Sequence, residues 1–515
     1  MMLFVQFLEL KRHQEIQIVP ALTLFDLPNL MSLLEYVQSA GDATVTIDLA
    51  TMLHDLLQGL CKPQFLNVVA RIRNTAESEL GEVWNHAKFQ ILRTQIDQFI
   101  GYGQLSEASS CAYELLRLAQ KGGEQAYPES KFDIANAYFI LARVLNEVGK
   151  TKEALLLFYE AQKIFNEIVC EGTNKEAERM QTACILEQGV SLIELGQFDE
   201  AATAYEEAIR QSEKNGAKRD VAIGKAQLGT VRLNQQRYQD ALNAFSEARD
   251  QFSKLGEQEV VATSWHQTAR VYHETAKFEL AEDAYRTALN IWIVTNNIAG
   301  QARTLGNIGN LYDDMGLLEE AVSIYCQSVT KYIDTSNVAG EGAMRINLAE
   351  TLRKLRNFSV ARHEIRNALK CFESQSGHAK AISYAWSILA NIETDAGNRT
   401  ATAEAKGKAV ACYLAYRRDG GKNHDPAGHL CLDVSQALLG NNRAVAEVLL
   451  QQHAGDPDDA RLNPFIHALQ SIVSGSRDRT LADVPDLDFT MAAEILLLIE
   501  MLEKQDSAEN IDNPT

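Results

Sequence analysis

Alanine returns at a fixed interval through the middle of this chain. Ala201, Ala241, Ala281, Ala321 and Ala361 are each 40 residues apart. Four positions after them stand Tyr205, Phe245, Tyr285, Tyr325 and Ile365; seven after stand Ala208, Ala248, Ala288, Ser328 and Ala368. Looser copies anchor at Ala108, Ala154 and Thr402, at intervals of 46, 47 and 41 residues, with Phe158, Ala161 and Ala409 in register. Offsets of four and seven place residues on one face of an α-helix. One globular core has no use for a register held over so much chain. A solenoid, which grows by stacking like units, requires it.

Residues 302–328, ARTLGNIGNLYDDMGLLEEAVSIYCQS, show one unit whole. Leu305, Ile308, Gly309 and Tyr312 share a face of a first helix, Gly316 marks a tight turn, and Ala321, Tyr325 and Ser328 share a face of a second. Glycine at 309 and alanine at 321 leave little side chain between the two helices. This pattern resembles the tetratricopeptide repeat (TPR), which begins W-x2-L-G-x2-Y and continues with A-x3-F and a late proline. Leu305 stands for the tryptophan and no proline follows Ser328.

The resemblance implies an all-α, right-handed TPR superhelix. The period exceeds the usual 34 residues, and two helices of about 18–20 residues, about 30 Å each, would account for it. Such long units are similar to those of kinesin light chains, LGN-type adaptors and the bacterial arrays attached to signalling ATPases. No proline occurs between Pro128 and Pro426, so helices in that span are expected to end on glycine and polar turns.

In chain order, Phe4, Phe7 and Leu8 fit one face of an opening helix, either an edge helix or the remnant of a larger split architecture. Divergent helical repeats follow to residue 79, with helices over 30–39, 45–59 and 64–74 and a start signal at Asp26 ahead of Leu27 and Pro28. A TPR array of about eight helix pairs spans 80–417, its first turn at Gly103 and insertions near 121–130 and 170–176. Residues 418–505 read as a helical C-terminal cap, with helices over 430–439, 444–452, 464–473 and 489–504. The link 477–488 and the tail 506–515 read as flexible.

Charge and cysteine usage narrow the function. A formal charge of −20 argues against nucleic acid and against anionic membrane surfaces. No apolar run reaches the 18 or more residues of a transmembrane helix, and the N-terminus lacks a basic region ahead of its apolar run. A cytoplasmic protein is expected. Eight cysteines, at 61, 111, 170, 184, 326, 371, 412 and 431, form no CxxC and read as buried free thiols.

No catalytic or cofactor constellation emerges. Gly149, Lys150 and Thr151 invite a phosphate-loop reading, but Val144 stands where that motif needs its first glycine. His266 and His273 lie seven apart without completing a metal set, and read as solvated. Arg417, Arg418, Lys422 and His424 read as a solvated capping loop rather than an anion site. Trp265 and Trp386 hold the first-helix tryptophan position and read as packing residues.

The first helices of a TPR line its concave groove. Gln227, Gln267, Asn307 and Asn347 are equivalent in four successive repeats; Thr230, Arg270, Asn310 and Glu350 lie one turn on, with Asn391 matching that second row. An amide both donates and accepts, so a ladder of amides can pair with a peptide backbone whatever its sequence. Arg270, His273, Asp313, Asp314, Arg353 and Lys354 would then select side chains. The alternative use of the amides is hydrogen bonding between helices. The expected function is non-catalytic binding of a protein or peptide segment. A detached ligand-sensing half of a STAND- or CHAT-type bacterial signalling system is the alternative that the resemblance offers.

Overall fold

The computed structural model describes residues 2–11, 18–58, 60, 63–80, 83–101, 104–172, 174–373, 378–419, 421, 423, 425–440, 442–453, 462–484 and 486–512. Among them there is no strand; the secondary structure is helical throughout. Four helices lead: α1 (Met2–Lys11), α2 (Ile18–Ser39), α3 (Ala43–Gln58) and α4 (Pro63–Glu77). Helix pairs follow: α5 (His86–Gly101) and α6 (Leu105–Gly122), α7 (Ser130–Glu147) and α8 (Thr151–Glu171), α9 (Lys175–Glu194) and α10 (Phe198–Lys214), α11 (Lys218–Asn234) and α12 (Tyr238–Leu255). Next come α13 (Gln258–Glu274) and α14 (Phe278–Val294), α15 (Ile298–Asp314) and α16 (Leu318–Asp334), α17 (Val338–Lys354) and α18 (Phe358–Glu373), α19 (Ala379–Asp395) and α20 (Arg399–Arg418). The last helices are α21 (Pro426–Leu439), α22 (Arg443–His453), α23 (Asn463–Val473) and α24 (Phe489–Asp512). By packing the chain divides into two compact units, Met1–Val271 and Tyr272–Thr515.

The 40-residue period has a plain origin. From α14 to α17 each helix has 17 residues, one turn shorter than the longest length expected, and only three residues separate it from the next. The turns within a repeat and between repeats are alike. Each holds one residue in the left-handed region, and these recur every 20 residues: Gly196, Gly216, Gln236, Gly256, Ala276, Asn296, Gly316, Ser336 and Arg356. At Gly316 the amide donates to Asp313 O at 3.0 Å and the next amide, of Leu317, reaches back to Tyr312 O at 2.8 Å. This is the Schellman pair of bonds, which satisfies carbonyls that a helix end leaves open. It replaces the missing prolines.

Five of those positions are not glycine, and an L-residue in this region costs about 1–2 kcal/mol. Ala276→Gly (φ 53°) is therefore expected to stabilise the protein, by about 0.5–1 kcal/mol after the added freedom of the unfolded chain is subtracted. Chemical denaturation checks this; a lowered midpoint would contradict it.

The repeat's buried face is the one the sequence marks. Ala108, Ala154, Ala201, Ala241, Ala281, Ala321 and Ala361 are all fully buried. Thr402 is an exception: it is half-buried, and Ala405, Ala409 and Tyr413 carry the packing of α20 instead. In three repeats the ring four residues past the anchor lies on a glycine sixteen positions before it. A Cβ on Gly189 would come within 2.5 Å of the Tyr205 ring, on Gly229 within 2.7 Å of Phe245, and on Gly309 within 2.6 Å of Tyr325.

The chain's ends differ from their sequence reading. α2 does not begin at Asp26; it runs unbroken from Ile18 with Pro28 inside it. Val5 and Leu8 carry the burial of α1, while Phe7 is exposed, because residues three apart share the inward stripe. At the other end α24 continues to Asp512, so the tail from 506 is helical up to that point. The link 477–488 is tied down: Arg477 pairs with Asp506 at 3.1 Å, Arg479 with Glu503 at 2.8 Å, and Asp488 caps α24 through the amides of Thr490 and Met491. Cysteine burial is also mixed. Cys184 and Cys431 are buried, Cys170 and Cys326 are exposed, and Cys111, Cys371 and Cys412 lie between; Cys61 and the turn residue Gly103 lie outside the described residues.

Candidate functional site

In the second unit, first helices pack directly on one another, α15 against α17 and α17 against α19, while the second helices α16 and α18 approach less closely. The stack therefore bends toward its first helices. Asn307, Asn310, Asp313 and Asp314 run along α15, with Asn347, Glu350, Arg353 and Lys354 along α17 and Asn391 on α19. Spacings of three and seven keep each set on one side of its helix. Except for the exposed Asp314, Lys354 and Asn391, these residues are half-buried.

The rows are cross-linked from repeat to repeat. Asn310 Oδ1 accepts from Asn347 Nδ2 at 3.0 Å and from the Tyr325 hydroxyl at 2.7 Å. Gly309 makes the second bond possible, because its bare backbone lets the Tyr325 ring cross from α16 beneath α15. Burial pushes the Tyr325 phenol above its usual range, so it stays a donor. Asp313 accepts from Thr351 Oγ1 at 2.9 Å through one oxygen and pairs with Lys354 through the other. His273 Nε2 meets Asp314 Oδ2 at 2.8 Å.

Arg353 grips Glu350 with two bonds, at 2.9 and 2.6 Å, and reaches Asp395 on α19. The Glu350 hydrogen bonds raise its already high pKa and fix the charge. In the first unit, Arg270 Nη1 donates to Gln267 Oε1 at 3.0 Å, and Gln227 is half-buried on α11.

The structure thus brings Asn310, Asp313, Asn347, Glu350, Arg353 and Lys354 into one continuous polar strip. Tyr325, Thr351 and Asp395 belong to it and escaped the sequence reading. The 16-residue spacing from Gly309 could have flagged Tyr325; Thr351 and Asp395 carry no local signal. Asn310 retains both Nδ2 hydrogens and Asn347 its Oδ1, for which the described residues supply no partner.

Other candidates resolve into structural roles. Gly149 (φ 81°) closes α7, its amide donating to Asn146 O at 2.9 Å. His266 is buried rather than solvated, at 4% exposure, because it points into the interhelix stripe. Arg417 is not a solvated loop residue: it donates to Gly421 O at 2.6 Å and to Glu494 Oε2 at 3.1 Å, while Arg418 pairs with Glu500 at 2.6 Å, fastening α20 to α24. Lys422 and His424 lie outside the described residues. Trp265 and Trp386 are half-buried under Arg249 and Lys408, whose charged ends sit 3.9 and 4.4 Å from the ring centres. Among the described residues no helix is long and apolar enough to cross a membrane.

Paired helices of this form, with small-residue anchors and a polar first-helix face, define a tetratricopeptide-repeat protein. Sequence models of the tetratricopeptide repeat match residues 186–223, 220–293 and 302–330, so that part of the chain carries tetratricopeptide repeats. A search of the curated proteins returns no match. Among solved structures, the chain is similar to a STAND protein with a tetratricopeptide repeat sensor from Pyrococcus horikoshii, at 12% identity and a TM-score of 0.49, over 72% of this chain and 53% of that one. It is also similar to the apo quorum sensor NprR from B. thuringiensis (12%, TM-score 0.47, 70% and 97%) and to a Rap protein complexed with Competence and Sporulation Factor (12%, TM-score 0.44, 68% and 99%).

Proposed function

We propose that this chain is a non-catalytic scaffold that holds an extended protein segment against the first-helix strip of its second unit. The observation that carries the reading is the Asn310–Asn347 pair. Each amide spends one function on its neighbour, at 3.0 Å, and keeps the complementary one. The remaining N–H and C=O groups are what a peptide backbone needs from a partner, and they are pre-positioned, so binding costs little ordering. The paired charges Asp313–Lys354 and Arg353–Asp395 lie along the same strip and would select side chains.

Selection of linear peptides from a phage-displayed library, followed by calorimetry on the synthetic peptide, tests the reading. The expected result is that Asn310→Ala with Asn347→Ala weakens binding about tenfold or more, as loss of two hydrogen bonds to a preformed site predicts. Circular dichroism should show unchanged helicity. Equal affinity for both proteins would refute the assignment.

A further inference from the structure

In the first unit, α4, α5 and α6 surround a pocket of about 530 Å³. Leu80, Trp84, Ile91 and Leu118 supply apolar walls, and Lys88, Lys121 and Glu77 supply the polar part of the lining. Its volume falls within the range of small-molecule sites, which combine mostly apolar walls with a few polar groups.

Trp84 is held in place from two sides. Its ring lies on Gly122, where a Cβ would come within 2.5 Å of the indole Cδ1. Behind it the indole lies beside the Tyr127 hydroxyl. That hydroxyl donates to Asp133 Oδ2 at 2.8 Å, and His86 Nδ1 meets the same oxygen at 2.6 Å. Asp133 is 1% exposed, so the chain of contacts is rooted in the core. The wall is fixed and cannot simply fold into the empty space.

The charges have a direction. Arg73, 4% exposed and one helical turn before Glu77 on α4, feels the Glu77 carboxylate as its principal opposite charge. Lys88 and Lys121 have no ion pair among the described residues. An apolar cavity with two ammonium groups outside any ion pair among the described residues, Lys121 acting at longer range on Glu114, is a local exception on a chain of net charge −20.

We infer that this pocket binds a small amphipathic carboxylate, an aliphatic chain lying on Trp84, Ile91 and Leu118 with its anionic head between Lys88 and Lys121. Apolar burial supplies the attraction and the lysines set the orientation. The inference is independent of the peptide strip, which lies in the other unit.

Octanoate and 1-octanol are the probes, titrated into the full chain by calorimetry and tryptophan fluorescence. Octanoate should bind one saturable site and change the fluorescence. Trp84→Phe should remove the fluorescence change and keep the heat. Leu118→Trp, which fills the pocket, should abolish both, and Leu80→Phe serves the same purpose should the first variant melt early. Lys88→Met with Lys121→Met should weaken octanoate about tenfold while leaving octanol within about twofold. Saturable binding that survives both filling variants would overturn the site. So would the absence of saturable binding. Equal losses for acid and alcohol would overturn the ligand class.

Discussion

Gly309→Val is expected to destabilise the second unit by about 2–3 kcal/mol, the upper part of the range for overpacking a tight core. Even the first added carbon would stand 2.6 Å from the Tyr325 ring, and the branched side chain adds two more. The ring cannot withdraw cheaply, because Tyr325 is 2% exposed and its hydroxyl is bound to Asn310 at 2.7 Å. Tyr325→Ala alone should also be costly, about 3–5 kcal/mol, through the cavity it leaves over Gly309. The two changes together should cost less than their sum, since valine enters space the ring vacated. Urea denaturation of the two single variants and the double variant reads all three values. A Gly309→Val midpoint equal to wild type would show that the helices do not approach as described.

The second large effect concerns Glu393, on the buried side of α19 at 5% exposure. Arg362 donates to it twice, at 2.7 and 2.9 Å, and Asn398 donates at 2.7 Å. Removing one member of a buried pair costs about 3–5 kcal/mol. The Arg362 side chain is 24% exposed and partly screened, so Glu393→Gln is expected to cost about 2–3 kcal/mol at neutral pH. The Arg362 hydrogen bonds hold the Glu393 pKa below its ordinary value. Its contribution is therefore complete above the unfolded-state value of 4.5 and lost as pH falls through the lower folded value. The stability gap between wild type and Glu393→Gln should stay constant from pH 7 to about 5 and close below that. A gap that widened on acidification would reverse the assignment.

How much of this could be read from the chain follows from which forces are local. The buried stripe was legible because burial repeats every unit, and Ala321, Tyr325 and Ser328 are all at or near zero exposure. The turns were half legible. Gly316 announces itself, but Gln236, Ala276 and Arg356 adopt the same left-handed geometry with no residue-type signal, because packing of the flanking helices imposes it. Pro28 suggested a helix boundary that α2 ignores. The link 477–488 is polar in sequence, yet its arginines find carboxylates on α24 that only the fold brings near. On the first-helix strip, the positions of Asn310 and Asn347 follow from the period. Their mutual hydrogen bond, the Tyr325 contribution and the Arg353–Asp395 pair depend on the spacing between repeats, which the sequence does not contain.

The central claim is that the Asn310 and Asn347 amides read a peptide backbone. Calorimetric affinities of a selected peptide and its singly N-methylated analogues test it most directly, on wild type and on the Asn310→Ala, Asn347→Ala variant. N-methylation removes one backbone donor and leaves the side chains in place. The account predicts at least one analogue that loses about tenfold on wild type and nothing further on the variant, the signature of two changes acting on one contact. Analogues that lose the same factor on both proteins, or lose nothing on either, would contradict it.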